Sequence, residues 1–441
     1  MSYFMSKITF IGAGSTVFAK NVLGDCIINP HLKGLDIALY DIDHKRLEDS
    51  FQMLIHINAT MHGHATITQY HDRKEALKGA DYVILAIQVG GYDPATILDF
   101  EIPKKYGFRQ TIADTMSIGG IFRALRTIPV MKSIAEDMVE VCPHALLINY
   151  VNPMAILTGY MLLHTPIKTV GLCHSVQICV PRLLKMFNLE EHLEHARYEI
   201  AGINHMAWLL YLEGKDGYPL YDEIKRRYKE ERSRFNISKD LVRLDIMDRF
   251  DYYVTESSEH NAEYMPYFIK SQYPELIEQL NIPLDEYPRR CIKQIEEWKT
   301  RRDQLINNPT LIHEKSYEYA SHIIEAMETD RPFKMNGNVL NHHLITNLPE
   351  DACVEVLCLV DRMGIHPTVV GQLPEQLAAL NRTNINVQLL TIKAAVSHRK
   401  KDIYQAAYLD PRLSAELTMH EIQMMCDELI EAEKEWIGHY E

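Results

Sequence analysis

The sequence predicts an α/β protein, with an N-terminal Rossmann-like, doubly wound sheet followed by a mixed α/β domain. Three observations predict it. Lys7-Ile-Thr-Phe-Ile11 is a short apolar run that passes directly into Gly12-Ala-Gly-Ser-Thr-Val-Phe18 and then into a helical pattern through Cys26. Asp36-Ile-Ala-Leu-Tyr40 repeats the strand pattern and ends on Asp41-Ile-Asp43. Asp81-Tyr-Val-Ile-Leu-Ala-Ile87 supplies a third apolar strand after the polar helix around Asp72 to Lys78, so a βαβαβ unit is nearly complete.

The chain has 441 residues, too many for one ordinary core, and the expected division is a nucleotide-binding domain over 1–198 and a substrate, metal and oligomerisation domain over 199–441. Hydrophobic residues at 46% and charged residues at 24% give the balance of a globular protein. A formal charge of -14 with no Lys/Arg stripe argues against nucleic acid as a partner. No run of 18 apolar residues and no N-terminal signal pattern occur, so no membrane association and residence in the cytoplasm are expected. The eight cysteines are scattered without framework spacing, and reduced thiols are expected.

Each N-terminal element has a chemical reason. Gly12 allows the tight turn, Gly14 lets the backbone approach a pyrophosphate, and Ser15 and Thr16 stand where the following helix turns its amides toward the anion. Val17 replaces the third glycine of the G-x-G-x-x-G pattern, so helix and strand are expected to pack slightly farther apart. Asp41 at the end of the second strand would accept from an adenosine ribose and repel a 2′-phosphate, favouring NAD over NADP, unless Asp41 or Asp43 only caps the next helix. Gln88-Val-Gly-Gly-Tyr92 is a glycine turn suited to a nicotinamide or ribose. The long loop Thr111-Ile-Ala-Asp-Thr-Met-Ser-Ile-Gly-Gly120 carries a single acid, Asp114, and leads into a helix with Arg123 and Arg126. Leu146-Leu-Ile-Asn-Tyr-Val-Asn-Pro153 ends a strand on Asn149 and Asn152, which either read a polar ligand or make a turn.

Ile167-Lys-Thr-Val170 runs into Gly171-Leu-Cys-His-Ser-Val-Gln177 and delivers Cys173 and His174 to one edge of the sheet, where ligands gather in α/β proteins. The bland alternative is a buried thiol beside a satisfied loop histidine. Downstream, Gly202-Ile-Asn-His-Met-Ala-Trp208 offers a distant imidazole, and a thiolate with an imidazole makes a metal pair. In the C-terminal half, 216–234 is expected to be an exposed helix and loop, and 241–280 and 285–305 to be helical. Asn336-Gly-Asn338 suggests a glycine turn beside a strand pair that includes the buried run Val354 to Val360. Asn381 to Asn386 is expected to begin a helix, and Ser414 to Trp436 to form the last one.

Taken jointly, Phe10-Ile-Gly-Ala-Gly-Ser-Thr16, Gln88-Val-Gly-Gly-Tyr92, Gln110-Thr-Ile-Ala-Asp-Thr115, Asn149-Tyr-Val-Asn-Pro153, Gly171-Leu-Cys-His-Ser-Val-Gln177, Ala201-Gly-Ile-Asn-His205 and Thr255-Glu-Ser-Ser-Glu-His260 resemble glycoside hydrolase family 4, the NAD- and divalent-metal-dependent glycosidases. The resemblance runs essentially end to end and is greatest to the bacterial α-galactosidase branch. It implies a lactate/malate dehydrogenase-like fold, a homo-oligomer (dimer or tetramer), NAD and Mn²⁺ as cofactors, and a small α-glycoside as substrate. It implies Cys173 and His205 as metal ligands and Asn152 in contact with the sugar and the cofactor. Two protein ligands leave coordination positions for sugar hydroxyls, as a catalytic site requires. A thiolate is a soft ligand for that hard ion, so activity is expected to need added metal and reductant.

Glycosidases ordinarily work with two carboxylates, and the NAD-dependent family departs from that scheme. The implied route oxidises C3 of the sugar, removes the C2 proton, eliminates the aglycone, adds water and reduces C3 again. Family members use a tyrosine as base, which here means Tyr264 or Tyr267, with Tyr264 preferred. Asp114 and His174 both qualify as the acid, and His174 stands where phosphosugar-cleaving branches often carry another residue, which fits an unphosphorylated substrate. His174, Asn204 and Arg290 complete the candidate sugar contacts, although Arg289 and Arg290 also fit the solvated rim. α-Galacturonidase and α-glucosidase remain alternatives within the family, and a galacturonide would call for a cation beside its carboxylate. An NAD-dependent 2-hydroxyacid dehydrogenase is the rival from another class, but its His-Asp dyad and substrate arginine are not found in their own spacing.

Overall fold

The computed structural model describes residues 6–236 and 238–441. Six parallel strands form its N-terminal half: β1 (Lys7–Ile11), β2 (Asp36–Tyr40), β3 (Thr66–Tyr70), β4 (Tyr82–Leu85), β5 (Leu146–Asn149) and β6 (Thr169–Gly171). Their order is β3-β2-β1-β4-β5-β6. β4 and β5 are buried at every position, as their unbroken apolar sequences require when helices cover both faces of a parallel sheet. The order reverses between β1 and β4, so a crevice opens beyond their C-terminal ends, where Gly12 and Gln88 follow. This is the doubly wound arrangement that the sequence predicts.

The sheet continues through antiparallel strands: β7 (Arg197–Ile203), β8 (Met206–Glu213), β9 (Tyr253–Val254), β10 (Phe333–Leu340), β11 (Cys353–Asp361) and β12 (Gly364–Pro367). Among the described residues the path runs on from β6 as β10-β11-β7-β8-β9, with β12 paired to β11. The joins are narrow, because β6 meets β10 only at Gly171↔Asn338 and β11 meets β7 only at Glu355↔Gly202. A line drawn at 198/199 falls inside β7, so the sheet is not interrupted there.

Helices of the second half return to the first. The helix Glu286–Ile306 reaches the helix His44–Thr60 through Arg302, whose guanidinium donates to Asp49 at 2.8 Å. A central helix, Ser117–Val141, is almost wholly buried over its first three turns. One continuous core spans the two halves, and a second cluster around Val180, Leu183, Phe187, Leu209 and Leu244 lies under the β7–β8 hairpin. None of the described helices is long and apolar enough to cross a membrane.

Several local expectations are corrected. Val17 is 49% exposed, so its side chain points away from β1 and does not wedge the helix off the strand. Asn336-Gly-Asn338 lies within β10 and makes no turn: a Cβ on Gly337 would sit 3.1 Å from Val170 and 3.3 Å from Cys358, so glycine permits close strand packing. The 241–280 segment is broken by β9 and a coil into the helices Leu241–Phe250, Ser258–Tyr264 and Glu275–Gln279. The helix expected to begin at Asn381 starts earlier and spans Glu375–Ser397. The final helix is three, Pro411–Glu416, Met419–Ala432 and Lys434–Ile437, because Thr418 with Glu421 forms a capping box that starts a new one. The charged 216–234 stretch contains the helix Leu220–Glu230, whose Leu220, Ile224 and Tyr228 are buried while its charged face is not.

Candidate active site

The end of β6 and the β7–β8 hairpin supply the centre of the site. Asn204 and His205 are the two turn residues between paired Ile203 and Met206, and His205 holds a left-handed backbone with φ 64°. A second left-handed residue, Glu256 with φ 64°, comes two positions after the end of β9. Together these turns aim three donors at one point: the Cys173 thiol, a ring nitrogen of His205 and a carboxylate oxygen of Glu256 lie within 4.8 Å of one another. Nε2 of His205 is 3.8 Å from Oε2 of Glu256. The other ring nitrogen, Nδ1, is 3.4 Å from the Thr115 hydroxyl, which fixes which nitrogen faces the donors. Sulfur, imidazole and carboxylate suit a divalent transition ion, and three protein ligands leave positions open.

The charges around this point are coupled. Burial lowers His205 to about 4, and the neighbouring His260 adds to that against the pull of Glu256 and Asp114, so the ring is neutral as a ligand must be. Burial pushes the Cys173 thiol well above its usual range, and its proton lies toward Ser175, whose hydroxyl is 3.3 Å away. Burial opposes ionisation of Glu256 as well, but His205, His260 and His174 hold it at about 2.

A second network adjoins the first. Asp114 accepts from Thr115 at 2.6 Å and from the Asn152 amide at 3.2 Å, and its Oδ1 is 3.4 Å from Nε2 of His260. Although burial works against it, this carboxyl is held below the usual carboxylate range by His260 and Arg123. His260 in turn is lifted to about 9, because Asp114 and Glu256 outweigh the cost of burying its charge. Arg123 donates to the Asn152 carbonyl at 3.2 Å, so Asn152 is held from both ends.

The Asn204 side chain is fully buried, and neither its amide nitrogen nor its oxygen has a partner. A buried amide without partners carries a free-energy cost unless a ligand meets it. Tyr264 lies beside it, donating to the Asn204 carbonyl at 3.3 Å with its ring centre 6.4 Å from that of His205. Burial pushes its phenol well above the ordinary range.

At the crevice, a Cβ on Gly12 (φ 91°) would lie 2.1 Å from the Ala86 carbonyl, so only glycine lets β1 and β4 close up there. The Gly14 amide donates to Asp41 at 2.7 Å. Asp43, and not Asp41, caps the helix His44–Thr60 by accepting from Lys45 and Arg46, which leaves the carboxylate of Asp41 at the glycine turn. The Ser15 hydroxyl is buried without a partner, and Thr16 donates to the Gly14 carbonyl at 3.0 Å. Gln88 donates to Thr96 at 3.0 Å and lies 3.5 Å from the Tyr287 hydroxyl. Unpartnered Ser15 and the close-packed glycine turn fit a dinucleotide phosphate.

Other expected residues are placed differently. Tyr267 is 52% exposed against Phe250 and Phe268 and stays outside the cluster. His174 immediately precedes the helix Ser175–Met186, makes no side-chain capping bond and is exposed, so it stays available to a ligand. Asn149 makes the turn, accepting from the Val151 amide and donating to Thr158, so its side chain is engaged locally. Arg290 is engaged by Glu259 at 3.0 Å and Glu286 at 2.9 Å on the rim. The sequence reading assigned no role to Glu256, His260 or Thr115, although the stretches that contain them carried the family resemblance.

Comparisons with known proteins identify the family. A model described as "Family 4 glycosyl hydrolase" matches residues 7–189, and one described as "Family 4 glycosyl hydrolase C-terminal domain" matches 200–413. An α-galactosidase of Bacillus subtilis is 61% identical over 436 residues, covering 99% of this chain and 100% of that protein. An α-galactosidase of Rhizobium meliloti is 32% identical over 98% of this chain and 89% of its own length. The crystal structure of the 6-phospho-β-glucosidase from Thermotoga maritima with manganese, NAD⁺ and glucose-6-phosphate superposes with a TM-score of 0.79 at 20% identity, covering 98% of this chain and 99% of that one, a likeness of fold.

Proposed function

The chain belongs to family 4 of the glycosyl hydrolases, and on that premise we propose that it is an NAD- and Mn²⁺-dependent α-galactosidase acting on unphosphorylated α-galactosides of the melibiose and raffinose type. The observation that carries the substrate is the 61% identity, over 99% of this chain, to an α-galactosidase. Bound in this protein, NAD⁺ would take up and return a hydride of the sugar while the divalent ion acted as a Lewis acid on adjacent hydroxyl oxygens.

The protein's own residues divide the remaining work. Cys173, His205 and Glu256 hold the ion, a reading supported by their convergence. Gly12, Gly14, Ser15, Thr16, Asp41 and Gln88 hold the dinucleotide along the crevice. Asn152, clamped between Asp114 and Arg123, and Asn204, with its unpartnered amide, orient the sugar hydroxyls. Tyr264 would remove the proton at C2 as its phenolate, its hydroxyl lying beside the Asn204 carbonyl, with the charge of a divalent ion held by Cys173, His205 and Glu256 offsetting the burial that raises the phenol. Asp114 already accepts from two donors and acts by holding Asn152, which leaves His174 at the open mouth to meet the leaving group.

A neutral galactoside is favoured over a galacturonide by the two arginines at the rim. Arg290 is paired with Glu259 and Glu286, and Arg289 with Glu286 and the Leu284 carbonyl, so both guanidiniums are already engaged. The same reading places the enzyme in the cytoplasm, where its eight free cysteines stay reduced, and as a homo-oligomer.

The test is hydrolysis of p-nitrophenyl α-galactoside with NAD⁺, Mn²⁺ and reductant omitted in turn. The expected result is nitrophenol release that stops without NAD⁺ or metal and leaves no NADH. Release indifferent to both additions, faster release from the α-galacturonide, or steady NADH production from a hydroxy acid would overturn the reading.

A further inference from the structure

The glycine turn after β4 sits at the mouth of the crevice, at the switch point of the sheet. Gly90 and Gly91 both have left-handed backbone, φ 76° and 64°. A turn built on two adjacent glycines is free to take other shapes, so whatever fixes it must come from outside. Thr96 holds one end, accepting from the Gln88 amide at 3.0 Å and donating to the Gly91 carbonyl at 3.2 Å, and two further contacts on Val89 and Gly90 lead to the C-terminus. Arg126, wholly buried on the central helix, donates through Nε to the Val89 carbonyl at 3.3 Å. The rest of its guanidinium is clamped by Asp99, at 2.9 and 2.5 Å, and by both oxygens of Glu433, each at 3.1 Å. One turn later, the ring of Trp436 covers Gly90: a Cβ there would lie 3.5 Å from it and 2.4 Å from Ala95.

We propose that Glu433 and Trp436, at the end of the chain, are positioning residues for the dinucleotide: through Arg126 and Gly90 they hold the Gln88–Gly91 turn in the shape that receives the cofactor. The inference rests on the reading that NAD⁺ occupies the crevice. Glu433 and Trp436 act on the turn through Arg126 and Gly90, whereas the metal cluster is held by Cys173, His205 and Glu256, so cofactor binding is the readout expected to respond. Arg126 is a fixed, fully buried cation, and its fork geometry lets Asp99 and Glu433 set its orientation from two sides. With Glu433 replaced by glutamine one of its two acceptor oxygens is lost, Asp99 is left as the charged partner that orients the guanidinium, and the hold on the Nε–Val89 bond is weakened.

The test compares the wild type with Trp436→Ala and Glu433→Gln, measuring NAD⁺ binding by calorimetry, Mn²⁺ binding, the galactoside KM at saturating NAD⁺, and Tm. The expected result is a Kd for NAD⁺ raised roughly five-fold or more, the low end of ordinary coupling between sites. Mn²⁺ affinity and sugar KM stay unchanged, and Trp436→Phe, which keeps a ring over Gly90, restores NAD⁺ affinity. Trp436 is half-buried and Glu433→Gln keeps the side-chain shape, so folded protein is expected from both, and Tm verifies it. Unchanged NAD⁺ affinity in both folded variants would overturn the inference, as would equal weakening of NAD⁺ and Mn²⁺, which marks general loosening. Failure of the wild type to bind NAD⁺ would overturn the crevice reading, and this inference with it.

Discussion

His205 and Glu256 face each other across 3.8 Å from two left-handed backbone positions with the same φ of 64°. Left-handed backbone costs a residue with a Cβ about 1–2 kcal/mol. Such strain persists where the surroundings over-determine it, commonly at ligand sites. Glu256→Gln keeps the shape but removes the charge. It is expected to weaken Mn²⁺ binding by about ten-fold or more, given that losing even an outer-shell partner costs 10–100-fold. Activity titrated against Mn²⁺ after chelator treatment checks this, with NAD⁺ affinity as the control that stays constant.

Tyr264 is buried, and its hydroxyl makes a single hydrogen bond, to the Asn204 carbonyl. Tyr264→Phe therefore leaves the packing intact, and the loss of that bond is expected to cost about 1 kcal/mol of stability. Its effect on kcat is expected to be much larger, roughly a hundred-fold or more, the ordinary range for a proton-transfer group. The C2 deuterium isotope effect on turnover should grow in the variant. An activity equal to that of the wild type would remove Tyr264 from the reaction.

Asp41 accepts from the Gly14 amide and is not the cap of the following helix. Asp41→Ala is expected to raise the NAD⁺ KM by roughly ten-fold, since a charge-assisted hydrogen bond contributes about 1.5–3 kcal/mol. It should also narrow the discrimination against NADP⁺, because the carboxylate that repels a 2′-phosphate is gone. Asp43→Ala should instead lower Tm, by removing a helix cap, and leave cofactor selection unchanged.

Acid stability is governed in part by Asp402, which accepts from Ser397 at 2.6 Å and Arg399 at 2.8 Å and pairs with Lys393 at 2.9 Å. Burial opposes its charge, but these partners hold it at about 2, below its ordinary 3.8. A carboxyl with a depressed folded-state pKa adds stability that is present above its unfolded value and is lost as pH falls through the folded one. Asp402→Asn is therefore expected to lower Tm at neutral pH, and the gap to the wild type should close as pH falls from 4 toward 2.

The sequence by itself determined the local parts of this protein. Strand, glycine turn and helix over Lys7 to Cys26, the acid at Asp41, and the Cys173 and His205 stretches are legible because a few neighbouring residues set each one. The same locality explains the misplaced boundaries. Asn336-Gly-Asn338 has the composition of a turn, yet Gly337 lies in mid-strand because Val170 and Cys358 crowd it from other strands. Only the tertiary structure decided which groups meet. Glu256 follows Cys173 by more than eighty residues along the chain, and nothing in Thr255-Glu-Ser-Ser-Glu-His260 distinguishes its first acid from its second. It joins the thiol and the imidazole because β9 pairs with β8, so that the left-handed turn after β9 falls beside the one that carries His205. Arg126 is the same case: its carbonyl acceptor and two carboxylates come from Val89, Asp99 and Glu433, and full burial is what makes their convergence consequential.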